Sequence, residues 1–211
     1  KEKGDLEGAI KSYIKAIKIE PDHAEAYVNM GVALNGVVFR GPSPDVQQIM
    51  TSMLDQKTYI RPRDISSAAI SLLKFEPAIQ TVFKMHSANE LRQSLQAVIS
   101  GLSEVPLLLK LMSVCPLADL ELEAILTDIR SSLLFSISEI TGSSKVLRFQ
   151  SALALLCFTN EYLYGQTDNE AKALEALEAL VKESFLKGEQ PNPQFILCLA
   201  TYKALHEYEW C

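Results

Sequence analysis

The sequence contains few of the residues that build metal, redox or disulfide sites. Its 211 residues include only four cysteines and three histidines. No two cysteines form a CxxC pair, and no histidine lies at metal-ligand spacing from any of them. Cys157 and Cys198 lie inside apolar helical patterns, so we interpret them as buried free thiols rather than redox or metal groups. This interpretation predicts no metal site and favours a reducing, cytoplasmic compartment.

Neither a concentrated basic face nor a long apolar run is present. The net charge is −6 and the two signs are interspersed, which argues against general nucleic-acid binding. The most apolar stretch, Val105 to Met112, is interrupted by Lys110 and falls short of the roughly 18 residues that a membrane helix needs. We therefore expect neither a nucleic-acid partner nor a membrane segment.

Glycine-rich loops that could hold a nucleotide or another cofactor are also missing. The clearest break in the second half, Thr141 to Ser144, contains a single glycine. No P-loop, nucleophile elbow or HExxH pattern occurs, and no histidine has polar partners converging on it in sequence. We assign no catalytic residue and no cofactor, and predict that this chain is not an enzyme.

Helical periodicity fills the space that these absences leave. No segment shows sustained strand alternation, so we predict an all-α fold of helices joined by short loops, which favours antiparallel neighbours. Two long helices are predicted over Asp119 to Ile140 and Lys145 to Tyr164, and a last helix is predicted to end near Trp210. Asp64 is predicted to cap one helix, and Thr167 to Glu170 has the pattern of a capping box.

The segment from Gly4 to Leu34 carries the most specific pattern. It predicts two helices separated by Pro21, which cannot continue a helix because it lacks an N–H and its ring clashes with the preceding turn. Small and large residues occupy set positions in both helices: Ala9, Tyr13 and Ala16, then Tyr27, Met30, Gly31 and Leu34. The pattern resembles the tetratricopeptide repeat, namely the second helix of one repeat and the first helix of the next.

The resemblance covers about one and a half repeats, so it divides the chain into two predicted domains. Residues 1–36 would form a partial repeat, and residues 37–211 an irregular antiparallel helical bundle or solenoid. Because an isolated repeat cannot bury its own apolar face, Leu6, Ile10 and Tyr13 are predicted to be covered by downstream helices or by a second copy of the chain. A homodimer through this incomplete repeat is one expectation, and a longer parent protein is another.

Such repeats are docking surfaces, and the resemblance therefore implies a non-catalytic module that binds a peptide or a neighbouring domain. Asn29 falls where the repeat's first helix faces the groove. In some relatives, notably O-linked N-acetylglucosamine transferases, asparagines there hold peptide backbones, because an amide both donates and accepts hydrogen bonds. Local packing or helix capping is the alternative role for Asn29. The candidate groove consists of Glu25, Val28, Asn29, Val32 and Asn35.

A second, more scattered resemblance concerns the rest of the chain. The segments Arg61 to Ile65, Leu72 to Pro77 and Ala152 to Tyr162 are similar to a helical region of bacterial multidomain proteins. In those proteins the region lies between tetratricopeptide repeats and a class I S-adenosylmethionine-dependent methyltransferase domain. The resemblance implies an alternative function: the accessory, substrate-recognising region of a methyltransferase whose catalytic domain is absent from this chain.

Overall fold

The structure is a computed structural model that describes residues 5–55 and 60–210. These residues form α-helices and two short 3₁₀ turns, Arg92–Ser94 and Leu205–Glu207, and contain no strand. The predicted all-α fold is therefore confirmed. The helices are α1 Leu6–Ile19, α2 Ala24–Leu34, α3 Pro44–Asp55, α4 Pro62–Leu73, α5 Pro77–Ser87, α6 Leu95–Leu102, α7 Pro106–Val114, α8 Leu120–Phe135, α9 Ser144–Thr159, α10 Asp168–Leu186 and α11 Pro193–Ala200.

The helices pack as two rows. In the first row α1, α3, α7, α9 and α11 lie side by side, each in contact with the next. Helix α2 packs on α1 and on α4, and α8 contacts α5, α6, α10 and α11 from the second row. The pairwise arrangement that begins with α1 and α2 thus continues along the described chain after the repeat pattern has disappeared from the sequence.

One apolar core connects α1 to α9. It is a single cluster of buried side chains that begins at Ile10 and ends at Cys157. A smaller cluster joins α8, α10, α11 and the C-terminal segment, and includes Leu134, Val181 and Tyr208. The division at residues 36 and 37 stays a prediction, and its outer ends, residues 1–4 and 211, lie outside the described chain.

Three of the helix starts follow from local sequence. The Asp119 carboxylate accepts from the backbone N–H of Leu122 at 3.0 Å and caps α8. The predicted capping box is confirmed, because Thr167 and Glu170 satisfy each other's free N–H groups at the start of α10. The predicted cap at Asp64 is wrong. Helix α4 begins two residues earlier, at Pro62, because the ring of proline is already set for the first helical position.

The helix ends were predicted less well. The first long helix ends at Phe135 rather than Ile140, and Ser136 is its C-cap. The second ends at Thr159 rather than Tyr164, because Glu161 and Tyr162 adopt left-handed backbone angles with φ of 53° and 56°.

The last helix is also shorter than predicted. It ends at Ala200 instead of near Trp210. The chain then folds back along the helix, and the Tyr208 hydroxyl donates to the carbonyl oxygen of Leu199 at 3.2 Å. This tertiary contact replaces the continued helix, and such a contact leaves no local signal in the sequence.

The apolar face of α1 is covered only in part. Ile10 is buried and Tyr13 is half-buried, as predicted. Leu6 is 45% exposed, so the prediction that downstream helices cover it is wrong for a single chain. The first turn of α1 extends beyond the helices that pack against the rest of it.

No single helix in the described ranges is long and apolar enough to cross a membrane. One bent pair, Arg92–Leu102 with Pro106–Val114 at 93°, meets the requirement for length and composition taken together.

Candidate functional site

The turn before α2 fixes the orientation of that helix. Pro21 follows the end of α1, and the N–H of His23 donates to the carbonyl oxygen of Glu20 at 3.1 Å, which reverses the chain. The N–H of Ala26 then donates to the carbonyl oxygen of His23 at 3.1 Å and opens α2. Its inner side is buried and consists of Ala26, Tyr27, Met30, Gly31 and Leu34.

Gly31 allows the chain to pack closely on α2. A Cβ atom at this position would collide with Cγ2 of Ile60 and would lie 3.5 Å from the methyl carbon of Met53. The sequence pattern predicts a small residue here for close helix packing. The structure shows that its nearest neighbour is Ile60, in the segment just before α4, rather than a helix.

The candidate groove residues lie together on the opposite side of α2. We call this surface the α2 face: Glu25, Val28, Asn29, Val32 and Asn35, of which the last is the C-cap. Val28 is 40% exposed and Val32 is 73% exposed. Two exposed valines beside one another on a helix whose other side is fully packed form an apolar strip that could contact a partner.

The polar members of the α2 face have free hydrogen-bonding groups. Within the described residues the amide of Asn29, which is half-buried, forms no side-chain hydrogen bond, so no packing or capping contact occupies it. Glu25 and Asn35 are exposed. The arrangement offers one amide donor and acceptor beside an apolar strip, with a carboxylate at one end and a second amide at the other.

The lysines of α1 have local partners, which agrees with their interpretation as a solvated face. Lys11 pairs with Glu7 at 2.7 Å on the same helix, as the spacing predicts. Lys18 pairs with Asp45 at 2.9 Å and so links α1 to the start of α3.

A buried polar cluster in the second half was not predicted from the sequence. Arg130 is 1% exposed, and its Nη2 donates to the carbonyl oxygen of Gly165 at 2.6 Å. Its guanidinium carbon lies 4.2 Å from the ring centre of Tyr202 and 5.6 Å from that of Tyr164. The signal in the sequence was the position of Arg130 within the apolar stripe of α8, which normally excludes an arginine.

Glu170 completes this cluster. One carboxylate oxygen accepts from the Tyr202 hydroxyl at 2.7 Å, and the other accepts from the N–H and hydroxyl of Thr167 at 2.8 and 2.9 Å. Burial raises the pKa of Glu170, but hydrogen bonds from Thr167, Tyr202 and Ser131 together outweigh it, so the pKa lies below its ordinary value. The cluster joins α8, α10 and the segment after α11, and its charged groups are enclosed by protein.

The thiols near this cluster are buried, as predicted. Burial raises the pKa of Cys157 to about 11 and that of Cys198 to about 12, and in both cases the charge of Arg130 opposes the rise. Cysteines with such pKa values are weak nucleophiles at neutral pH. In the described part of the chain no three histidine, cysteine, aspartate or glutamate side chains are placed to hold a metal ion.

A second exposed apolar surface lies between α9 and α11. It is a groove of about 560 Å³, and two of the side chains that line it, Leu155 and Phe158, are 46% and 54% exposed. Sequence analysis missed it, because it assigned α9 to the interior as the most apolar helix. We call this surface the α9–α11 groove; it is lined by Ser151, Ala154, Leu155, Phe158, Tyr162, Leu197, Ala200, Ala204, Leu205 and His206.

Comparison with protein families gives one match, to the TPR repeat, over residues 1–35. No curated protein and no solved structure matches the chain. The match contains α1, the turn at Pro21 and nearly all of the α2 face. TPR repeats generally mediate protein–protein interactions, so this part of the chain has the character of an interaction module. The match does not extend to the remaining helices.

Proposed function

We propose that the chain is a non-catalytic protein-interaction module that binds an extended peptide segment of another protein on the α2 face. The observation that supports the proposal most strongly is the exposure of Val28 and Val32 beside an unpaired Asn29 amide. These residues lie within or beside the segment that matches the TPR repeat.

The chemistry of the face specifies the kind of peptide. An aliphatic side chain of the peptide would pack against Val28 and Val32, where burying each CH₂ group is worth about 0.8 kcal/mol. Asn29 would donate to a peptide carbonyl and accept from a peptide N–H. Glu25 lies at the start of α2 and would favour a basic residue at that end of the peptide.

The test is a selection from a phage-displayed library of random peptides with the purified chain as the target. Peptides that also bind the Asn29→Ala, Val32→Lys double variant are removed by counter-selection. The affinity of each remaining peptide is then measured by calorimetry. We expect the selected peptides to share an aliphatic residue, and Val32→Lys to weaken their binding by at least tenfold, or about 1.4 kcal/mol.

A matched control distinguishes this face from general stickiness. Leu186 is 87% exposed, comparable with Val32, and lies at the far end of α10. Leu186→Lys is expected to leave the affinity unchanged. The proposal is wrong if the counter-selection removes every binder, or if the two lysine variants weaken binding equally.

The alternative function, a substrate-recognising region of a methyltransferase, rests on sequence resemblance alone. No contact among the described residues adds support to it. Attaching the chain to a methyltransferase domain in a longer protein would not conflict with peptide binding on the α2 face, because a recognition module can serve either role.

A further inference from the structure

The α9–α11 groove has small residues where a partner helix would approach and large residues beside them. Ser151 and Ala154 on α9, with Ala200 and Ala204 opposite, leave room above the backbone. Leu155 and Phe158, by contrast, are about half exposed.

Phe158 is held in its exposed position by a neighbour. Its ring meets that of Tyr162 edge to face, with 6.4 Å between the centres and 81° between the planes. A large side chain fixed in place next to a space lined by small residues forms a surface that can complement itself.

Charged residues are placed symmetrically along the same helix. Arg148 and Glu161 are both exposed, and neither forms an ion pair within the described residues. The acid nearest to Arg148, Glu104, is already bound by Lys145 at 2.9 Å. A two-fold axis between Ala154 and Leu155 would place Arg148 of one copy opposite Glu161 of the other.

The same axis also matches the apolar residues. Phe158 of one copy would lie over the small side chain of Ser151 in the other, and Leu155 would lie over Ala154. Shape and charge are therefore satisfied by the same antiparallel arrangement of two α9 helices. A two-fold interface requires such self-complementarity, because the same surface must serve both sides.

We propose that the α9–α11 groove is a self-association site, in which α9 of a second copy of this chain packs antiparallel against α9 of the first. This site is separate from the homodimer contact expected at the incomplete N-terminal repeat. It is also independent of peptide binding on the α2 face.

The size of the surface sets the expected strength. Arg148 to Phe158 spans ten residues, or about 15 Å of helix. An interface built around one such stretch falls in the class of small, weak interfaces. We therefore expect a dissociation constant in the micromolar range, visible in sedimentation experiments from about 1 µM to about 500 µM protein.

Sedimentation equilibrium on the purified chain and its variants tests this site. Phe158→Lys is expected to raise the dissociation constant roughly 30-fold or more, because it removes a central aromatic anchor. The matched control is Val32→Lys on the α2 face, which is expected to leave dimerisation unchanged. Conversely, Phe158→Lys should leave binding of a selected peptide unchanged, so the two proposals can fail separately.

Charge reversal tests the antiparallel arrangement without disturbing the core. Arg148→Glu and Glu161→Lys are each expected to raise the dissociation constant about tenfold, because each creates two like-charge contacts per dimer. The double variant restores the attraction with the signs exchanged and should return to within about threefold of the original. The site is refuted by a monomer at every concentration, by a dimer insensitive to Phe158→Lys, or by a double variant that fails to recover.

Discussion

The guanidinium carbon of Arg130 lies 4.2 Å from the ring centre of Tyr202, and the hydroxyl of the same tyrosine donates to Glu170 at 2.7 Å. A cation, an aromatic ring and a carboxylate thus form one buried chain across α8, the segment after α11 and α10. Charged groups at 1% and 3% exposure are costly unless they are fully partnered. We interpret the cluster as the contact that fixes the C-terminal helices against α8.

Truncating this cluster should destabilise the fold strongly. Arg130→Ala is expected to cost roughly 3–5 kcal/mol of unfolding free energy, because it leaves a cavity and removes the donor to Gly165. Tyr202→Phe should cost about 1–3 kcal/mol, since it removes only the hydroxyl that donates to Glu170. Urea denaturation followed by circular dichroism measures both losses.

Tyr162→Phe is the matched control for Tyr202→Phe. The hydroxyl of Tyr162 makes no hydrogen bond in the described chain, so its removal should change stability by no more than about 0.5 kcal/mol. Equal costs for the two tyrosine variants would show that the bond to Glu170 contributes nothing.

Glu170 should make part of the stability depend on pH. The folded-state pKa of this carboxyl lies below its ordinary value of 4.5, so its contribution is fully present above that value. The contribution is then lost as the pH falls through the lower folded-state pKa. Glu170→Gln removes the titration, and the difference in unfolding free energy between the two proteins should shrink between about pH 6 and about pH 3. A difference that stays constant over this range would contradict the assignment.

Two glycines in helices should respond to alanine in opposite directions. At Gly31 the added methyl group collides with Ile60, so Gly31→Ala is expected to cost about 1–3 kcal/mol. At Gly101, in α6, the nearest atom is the Cβ of Ala78 at an ordinary 3.8 Å, and alanine should stabilise the helix by up to about 1 kcal/mol. Thermal unfolding of both variants checks the sign. Stabilisation by both would show that nothing packs closely on α2 at Gly31.

Local sequence signals predicted where helices begin better than where they end. The caps at Asp119 and Thr167 were predictable because each acts within one turn of the helix it opens. The ends at Thr159 and Ala200 depend on left-handed backbone angles and on a hydroxyl from Tyr208, which arrives from nine residues away. Contacts of this kind are decided by tertiary packing, and no periodicity reports them.

The two candidate surfaces show the same contrast. The α2 face could be chosen in advance, because the repeat pattern around Asn29 fixes the register of its helix. The α9–α11 groove could not, since apolar periodicity shows that Phe158 lies on an apolar helix without showing which side a neighbour leaves uncovered. Arg130 was missed for a related reason: its partners, Tyr202 and Glu170, are distant in sequence.

The central claim is that the α2 face binds a peptide, and chemical-shift mapping tests it most directly. The backbone amides of the ¹⁵N-labelled chain would be followed while a peptide from the selection is added. Our account predicts that the largest changes lie between Glu25 and Asn35, with the amides around Phe158 unaffected. Changes concentrated in the α9–α11 groove, or no localised changes in α2, would contradict it.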